Sequence, residues 1–397
     1  MVILTAFCAA TLLIHLVSVA WVIRRGTRTR STGLLARKER PAVTILRPIC
    51  GIENNLERTL ESAFLIDWPD YEIIFCVADA DDPAAAIAQR LIASHPDIPA
   101  RLLVGEERVS INPKLNNLVK GWNAARNDWI VIADSNVLAP RDYLTRLFAR
   151  WIPGTGLVCS PPIGTEPAGF YAEVECAWLN SFQARWQLLA DEIGLGFAQG
   201  KTMLLRRSII DPAGGFQRLA DEVAEDAAAT KIVREAGLSV RLVDIPFPQP
   251  LGQKTWSGIW RRQLRWARLR RVSFPLFFLP EILVGGAFPM IAAALAVGLG
   301  SWSAWIGILY AILWYSAELL VIRAFHWPLG RHTPAALVLR DFALPALWLA
   351  AWFGNGFVWH GHSMAVQHHL SPKSTVRLRH AIDKTKAKAR ALKTAWR

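Results

Sequence analysis

A long uncharged stretch at the start of the chain constrains the fold more than any other feature. Residues 2–23 contain no Lys, Arg, Asp or Glu, and a helix of that length crosses the roughly 30 Å hydrocarbon core of a bilayer. Arg24, Arg25 and Arg28 follow directly, whereas a secretory signal peptide carries its charge before the apolar core. The sequence therefore predicts an uncleaved transmembrane anchor, residues 1–23, with its C-terminal side in the cytoplasm.

The composition indicates a chain that lies partly in a membrane. Of 397 residues, 52% are hydrophobic and 19% are charged, which is too apolar for a soluble protein and too charged for a fully embedded one. The net charge is +13, but the basic clusters adjoin apolar runs, so membrane lipids are expected partners and nucleic acid is not. The five cysteines show no C-x-x-C spacing and are interpreted as small buried hydrophobes in a reducing compartment.

The chain changes character after the anchor. Short β-branched runs at 43–46, 72–77, 101–104 and 129–133 alternate with helical stretches, a pattern typical of an α/β domain with a mainly parallel sheet. We place this domain at residues 40–271 and expect it to face the cytoplasm. Polar residues follow two of the predicted strands, and ligands bind at the carboxyl ends of strands in such sheets.

A second membrane region is predicted at residues 272–360. Residues 282–317 carry no charge and contain a glycine-rich break between two expected spans. The apolar stretch 342–359 is either a third span or a re-entrant or interfacial helix. If it crossed fully, the basic tail predicted at 361–397 would lie outside, against the positive-inside tendency. The sequence leaves the side of the tail open.

Two acidic groups follow predicted strands. Asp79, Asp81 and Asp82 lie within four residues and would repel one another unless a cation, sugar or nucleotide hydroxyls, or solvent compensated them. They could also form a solvated turn in which Asp82 caps the helix that begins at Pro83, and the two roles are compatible. Asp134 is either a turn residue or the ligand of a divalent cation, Mg²⁺ or Mn²⁺, that also binds a diphosphate.

Two further segments are candidates for chemistry. Asp226 precedes an amphipathic helix and is either a helix cap or the general base that an inverting sugar transfer needs. Residues 261–271 contain six arginines, most of them interpreted as membrane-edge anchors. Among them, Gln263, Arg265 and Trp266 could offer an amide, a cation for a leaving diphosphate and an aromatic wall.

Gly200-Lys201-Thr202 resembles the end of a phosphate-binding P-loop. The preceding glycines, Gly194 and Gly196, leave five and three intervening residues, where the loop requires four. An ATPase function is therefore excluded.

These segments occur in the order of the D1, D2, D3 and (Q/R)xxRW motifs. The matching residues are Asp79 to Asp82, Asp134-Ser135, Glu225-Asp226, and Gln263, Arg265 and Trp266. Longer blocks, Leu46-Arg47-Pro48 and residues 111–118 (I-N-P-K-L-N-N-L), accompany them. The chain resembles the ceramide glucosyltransferase family, within the family-2 and family-21 type nucleotide-sugar glycosyltransferases, as a bacterial member.

The resemblance implies a GT-A fold, a UDP-sugar donor, a divalent cation, inversion at the anomeric carbon and ceramide as the acceptor. Carried over residue by residue, it places the uridine and the sugar at Asp79 and Asp82. It places the metal at Asp134 and the acceptor hydroxyl at Asp226. Lys114 is a plausible diphosphate partner, and the Gln263, Arg265 and Trp266 side chains would close over the diphosphate and the acceptor mouth. Asn136 stands where a small or acidic residue is expected, so metal binding by that third position is not predicted.

The predicted function is the transfer of one sugar, UDP-glucose being the leading donor, to ceramide at a bacterial inner membrane. Transfer to a hopanoid or a polyprenyl lipid is an alternative with the same chemistry. A processive polysaccharide synthase is disfavoured because three or four spans leave little protein for an export channel, and an inactive membrane scaffold is disfavoured by the intact acidic set. The aromatic residues between 170 and 199 are interpreted as domain core in preference to an interfacial helix that presents ceramide; they are Tyr171, Trp178, Phe182 and Trp186.

Overall fold

A seven-stranded sheet organises the region between the first helix and residue 255. The computed structural model describes residues 2–27, 40–359 and 362–365. Its first nine strands are β1 (Val43–Pro48), β2 (Tyr71–Val77), β3 (Ala100–Val104), β4 (Trp129–Ala133), β5 (Thr155–Cys159), β6 (Ile163–Ala168), β7 (Thr202–Arg206), β8 (Ser239–Leu242) and β9 (Pro248–Gln253).

The large sheet has the order β3-β2-β1-β4-β7-β5-β8, and β6 pairs with β9 in a small second sheet. Strand β7 runs antiparallel to both of its neighbours, and the other pairings in the large sheet are parallel. The predicted α/β fold with a mainly parallel sheet is therefore confirmed. Alternate side chains enter two separate apolar cores, so that Ile45 packs on one face of the sheet and Leu46 on the other, as the strand period of two requires.

The helices surround this sheet and continue beyond it. They are α1 (Val2–Thr27), α2 (Leu56–Glu61), α3 (Pro83–Ser94), α4 (Pro113–Ala124), α5 (Tyr143–Ala149), α6 (Phe170–Cys176), α7 (Arg185–Glu192), α8 (Arg207–Ile210), α9 (Glu225–Glu235), α10 (Trp256–Ser273), α11 (Pro275–Phe278), α12 (Ala287–Gly298), α13 (Ala304–Ala324) and α14 (Thr333–Trp352). A π-helical segment, Ala177–Ala184, joins α6 to α7.

Polar side chains set the starts of three helices that border the site. Asp82 accepts a hydrogen bond from the Ala84 N–H at the start of α3, and Asn112 does the same for the Lys114 N–H in α4. Thr255 caps α10 through the Gly258 N–H. Both α3 and α4 also begin with proline, whose fixed φ suits the first helical position. The predicted capping role of Asp82 is thus confirmed.

Four helical segments among the described residues are long and apolar enough to cross a membrane: Val2–Thr27, Pro275–Gly298, Ala304–Ala324 and Thr333–Trp352. Three of them follow the sheet domain, within the predicted two or three. The predicted apolar stretch 342–359 is not one helix, because α14 ends at Trp352 and a short antiparallel pair follows, β10 (Gly356–Trp359) and β11 (His362–Ala365). Apart from β11, the predicted basic tail lies outside the described residues.

The first helix is tied to the sheet domain by a buried arginine. The Arg25 side chain is fully buried, and its guanidinium lies 2.6 Å from Asp191 Oδ2. The same group donates to the backbone carbonyls of Leu188 and Leu242 at 3.0 and 2.8 Å. Its neighbour Arg24 is exposed. The sequence analysis interprets the basic residues after the first helix as orientation signals and lipid-headgroup contacts. This interpretation is wrong for Arg25, because its charge is neutralised by Asp191 inside the protein.

A second buried ionic group joins the membrane helices to the π-helical segment. Arg340 in α14 lies 2.8 Å from Glu318 in α13 and donates to the Ser181 hydroxyl and the Ala177 carbonyl. Charged residues inside a membrane bundle need such partners, because lipid offers none. The contacts hold the π-helical segment against the membrane region, next to the site described below.

Candidate active site

A cavity of about 930 Å³ extends from the carboxyl ends of β1 and β4 to the start of the second membrane segment. Charged and amide side chains line one part of it, here called the polar chamber, among them Lys114, Asp134, Asn136, Lys201, Glu225 and Asp226. Aromatic and aliphatic side chains also line the cavity, among them Phe182, Trp186, Leu195, Phe197, Phe277 and Val284. The cavity therefore combines a strongly polar lining with an apolar one.

Four charged side chains in the polar chamber form one continuous array, here called the lysine–acid array: Glu225, Lys114, Asp134 and Lys201. Lys114 Nζ lies 2.6 Å from Glu225 Oε1 and 2.6 Å from Asp134 Oδ1. Lys201 Nζ lies 2.8 Å from Asp134 Oδ2. Positive and negative groups alternate, so each charge is compensated although little solvent reaches them.

The alternation of charges determines the pKa shifts of Lys114 and Asp134. Burial alone would lower the pKa of Lys114, but the carboxylates of Asp134 and Glu225 outweigh it and raise that pKa. Burial would likewise raise the pKa of Asp134, but Lys114 and Lys201 hold it well below the usual range. Lys114 and Asp134 are therefore both ionised near neutral pH.

The sequence block I-N-P-K-L-N-N-L positions Lys114. Asn112 caps α4 and also donates from Nδ2 to Glu225 Oε2 and to the Val223 carbonyl, both at 3.0 Å. Asn117 donates to the Cys76 carbonyl at the end of β2 at 2.7 Å. The block thus locks the start of α4 between β2 and the loop before α9, which brings Lys114 to Asp134 and Glu225.

Arg47 positions Asp134 from below the cavity. This buried side chain donates to the backbone carbonyls of Asp134 and Val137, both at 2.9 Å, and to that of Thr59. It therefore fixes the turn after β4. The block Leu46-Arg47-Pro48 carries the family resemblance, but its local pattern does not predict the contact between Arg47 and Asp134, which are 87 residues apart.

Asp226, the predicted general base, lies in the cavity wall at the start of α9. Its Oδ2 accepts from the Gly200 N–H at 3.0 Å and its Oδ1 from the Ala227 N–H at 2.8 Å. Burial, together with the adjacent Glu225 charge, raises the pKa of Asp226 to about 7. A carboxylate with this pKa is suited to take a proton from a hydroxyl group at neutral pH.

The three acids of the D1 group do not line the cavity, although Ala78 beside them does. Asp79 and Asp81 are exposed, and the Asp81 N–H donates to Asp79 Oδ1. Both Asp82 oxygens accept from the Gly51 N–H at 2.9 Å, so this carboxylate joins the loop after β1 to α3. Contacts of Asp79, Asp81 and Asp82 with a nucleotide stay predictions.

Helix α10 contributes Arg262, Arg265 and Trp266 to the cavity lining. Burial, reinforced by Arg262, lowers the pKa of Arg265 to about 10, so its guanidinium is still charged at neutral pH. Gln263 is fully buried and accepts from Gln183 Nε2 at 2.8 Å. Gln263 does not line the cavity, and its predicted substrate contact stays a prediction.

The spacing of the (Q/R)xxRW motif agrees with the position of Gln263 outside the cavity lining. In (Q/R)xxRW two residues separate the first position from the arginine, and counting back from Arg265 leads to Arg262. Arg262 Nη1 lies 2.9 Å from Glu175 Oε1, and its guanidinium lies 5.9 Å from the centre of the Trp266 ring. Arg262 thus takes the place in the cavity that the sequence interpretation gave to Gln263.

The aromatic residues before β7 divide between two roles. Trp178 is fully buried in an apolar cluster that it shares with residues of α1, α13 and α14, and Tyr171 is exposed. Phe182 and Trp186 line the cavity. The favoured interpretation as core therefore agrees with the burial of Trp178, disagrees with the exposure of Tyr171 and is incomplete for the two residues that face the cavity.

Asp134 was the predicted ligand of a divalent cation. Both of its oxygens are engaged by ammonium groups, and Asn136 accepts from Lys201 Nζ at 3.0 Å. Within residues 2–27, 40–359 and 362–365, no group of three or more His, Cys, Asp or Glu side chains could hold a metal. A cation here would lie beside two positive charges, so the donor set as arranged does not fit a resident metal.

Of the five cysteines, four are buried and Cys50 is exposed. Cys50 also lies in the cavity lining, next to Pro48 and Ile49. The interpretation of all five as buried hydrophobes is therefore wrong for Cys50, which follows β1 at the edge of the sheet where ligands bind.

Known proteins resemble this chain over most of its length. The family model described as Glycosyl transferase family 21 matches residues 2–371. Ceramide glucosyltransferase 1 of Caenorhabditis elegans is 25% identical over 327 residues, which cover 80% of this chain and 70% of that protein. Ceramide glucosyltransferase of Komagataella phaffii is 44% identical over 108 residues, 26% of this chain and 21% of that protein.

Among solved structures, a mannosyltransferase from Pyrobaculum calidifontis in complex with GDP-Man and Mn²⁺ is 20% identical to this chain. The alignment covers 88% of this chain and 97% of that one, with a TM-score of 0.49.

Proposed function

The chain belongs to glycosyl transferase family 21, and from this premise we propose that it transfers one sugar from a UDP-sugar to ceramide. Family membership makes it a glycosyltransferase. UDP-glucose as donor, ceramide as acceptor and a single transfer per acceptor are the proposed part. We further propose that the sheet domain faces the cytoplasm of a bacterial inner membrane, which Arg24 and the basic residues after it support.

The lining of the cavity supports this proposal, because polar and apolar side chains border a single space. A UDP-sugar is polar and anionic, and the polar chamber offers Lys114 and Arg265 for its diphosphate. A ceramide has one hydroxyl-bearing head and two long apolar chains, and the same cavity is lined by Phe277 and Val284 of the second membrane segment. Asp226, the proposed base, also lines this cavity.

The reaction proposed is a single displacement. Asp226 takes the proton of the acceptor hydroxyl, whose oxygen forms a bond to the anomeric carbon as the bond from that carbon to the diphosphate breaks. UDP leaves with the electron pair, and Arg265 and Lys114 stabilise the negative charge that develops on it. The Mg²⁺ or Mn²⁺ predicted at Asp134 does not fit the donor set as arranged, so the reaction is written without it.

Product analysis tests the proposal. The purified full chain is incubated with UDP-glucose in mixed micelles that contain ceramide, a hopanoid or a polyprenyl phosphate in separate samples. The ceramide sample is expected to yield a ceramide that carries one hexose. Mass spectrometry of the products distinguishes the alternatives, since glycosylation of the hopanoid or the polyprenyl lipid instead of ceramide would identify another acceptor, and a processive synthase would give a growing polymer. Absence of UDP release with all three acceptors would contradict the proposal and favour an inactive scaffold.

The raised pKa of Asp226 predicts how the rate depends on pH. The base must be ionised, so the turnover number is expected to fall as the pH drops through about 7, by about tenfold between pH 8 and pH 6. An ordinary aspartate would be ionised throughout that range. Initial rates with saturating substrates at constant ionic strength measure the profile, and a flat profile from pH 8 to pH 6 would contradict the assignment of the base.

A further inference from the structure

Lys201 completes the lysine–acid array from a part of the chain that the motifs do not include. The P-loop comparison excluded Gly200-Lys201-Thr202 from ATP binding, yet the structure places Lys201 in the cavity lining beside Asp134. Its side chain is 16% exposed, against 8% for that of Lys114. Lys201 is therefore the more accessible of the two ammonium groups at Asp134.

The sheet brings Lys201 to this position. Strands β4 and β7 pair antiparallel with Ala133 opposite Thr202, and the Asp134 N–H donates to the Lys201 carbonyl at 3.0 Å. Gly200 allows the backbone to lie close to Glu225 on the other side, because a Cβ at position 200 would lie 2.7 Å from Glu225 Oε1. The Gly-Lys pair is thus held between the carboxylate of Asp134 and those at the start of α9.

We propose that Lys201 is a ligand of the donor diphosphate and that Lys201 and Lys114 together replace a divalent cation at Asp134. This inference rests on the proposed function, because it takes a nucleoside diphosphate sugar as the donor. It predicts that the donor binds equally well with and without a divalent cation.

The charges around Asp134 support this assignment. Two ammonium groups lie within 2.8 Å of one carboxylate, and the third position after β4 is the neutral Asn136, whose Nδ2 donates to Glu53 Oε2 at 2.9 Å. A divalent cation would be repelled by both lysines, whereas phosphate oxygens would be attracted to them. Lys201 would then hold the phosphate with the one ammonium proton that faces neither Asp134 nor Asn136.

A purely structural role for Lys201 is the competing explanation. In that case the lysine would serve only to compensate the buried charge of Asp134, and its loss would lower the thermal stability while leaving the affinity for UDP unchanged. Measuring UDP binding and thermal unfolding on the same samples separates the two roles.

The test is titration calorimetry of UDP into the purified full chain, once in EDTA and once in excess Mg²⁺. The wild-type dissociation constants are expected to agree within about twofold, because no cation is needed. For Lys201→Met, binding in EDTA is expected to be about 10 to 100 times weaker, and Mg²⁺ is expected to restore part of it because the position beside Asp134 is vacated. Lys201→Arg, which keeps the charge, is expected to bind UDP in EDTA far better than the methionine variant.

Lys231→Met is the matched control, because Lys231 forms an ion pair with Glu222 and does not line the cavity. Loss of wild-type UDP binding in EDTA, or unchanged binding by Lys201→Met, would overturn the inference. UDP binding without any glycosylated lipid would contradict the proposed acceptor and leave the inference standing. No UDP binding in either buffer would overturn both the inference and the proposed donor.

Discussion

Replacing Asp226 with asparagine is expected to lower the turnover number by about 10²- to 10⁴-fold, the usual contribution of a general base. Asparagine has nearly the same shape but cannot take the acceptor proton. One of its two side-chain atoms still accepts from a backbone N–H, either that of Gly200 or that of Ala227. The affinity for UDP is therefore expected to stay within about twofold, and initial rates with calorimetric UDP binding measure both quantities.

Asp221→Asn provides the control for this variant. Asp221 lies in the same region of the chain, and its side chain is 45% exposed in an ion pair with Arg218, an interaction that contributes little to stability. Its loss is expected to leave the turnover number unchanged. Full activity of the Asp226→Asn protein would remove Asp226 from the role of base, whatever the sugar and the lipid prove to be.

Replacing Arg25 with glutamine is expected to destabilise the whole protein by about 3–5 kcal/mol, the typical result of removing one partner from a buried ion pair. Asp191 and the Leu242 carbonyl would both keep Arg150, at 3.0 and 2.9 Å, but the Leu188 carbonyl would lose its charged donor. Thermal unfolding in detergent, followed by tryptophan fluorescence, is expected to shift downward by roughly 5 °C or more.

Arg24→Gln is the matched control for this prediction, since Arg24 is exposed one residue earlier in α1. It removes the same charge from the same end of the helix. If Arg25 acted only as an orientation signal, the two variants would show equal unfolding temperatures. A clear difference between them is expected because only Arg25 reaches the sheet domain.

The local sequence predicted the parts of this protein that depend on local patterns. The strands at 43–46, 72–77, 101–104 and 129–133 all lie within observed strands, because β-branched runs of that length favour extended backbone. The positions of Asp134 and Asp226 can also be predicted from local patterns. Asp134 follows the apolar strand β4, and parallel strands bring such ends to one edge of the sheet. Asp226 lies in the first turn of the amphipathic helix α9.

What the sequence could not reveal depends on pairs of residues far apart in the chain. Arg25 appeared as one basic residue among several after an apolar helix, and only the packing of α1 against α7 shows that it is buried. The spacing of the glycines before Lys201 only excludes a P-loop, whereas the position of Lys201 beside Asp134 depends on the pairing of β7 with β4. Gln263 and Arg262 are adjacent, and the helix rotation that buries one and directs the other into the cavity is set by tertiary contacts.

The apolar lining of the cavity also bears on how the proposed lipid acceptor would be supplied. If that acceptor reaches Phe277 and Trp186 in the lining from within the bilayer, it need never dissolve in the surrounding water. With such an acceptor, the rate is expected to depend on the number of acceptor molecules per unit of membrane area. Dilution of the acceptor with inert lipid would then slow the reaction, whereas dilution of the membranes with buffer would leave each enzyme molecule among the same neighbours.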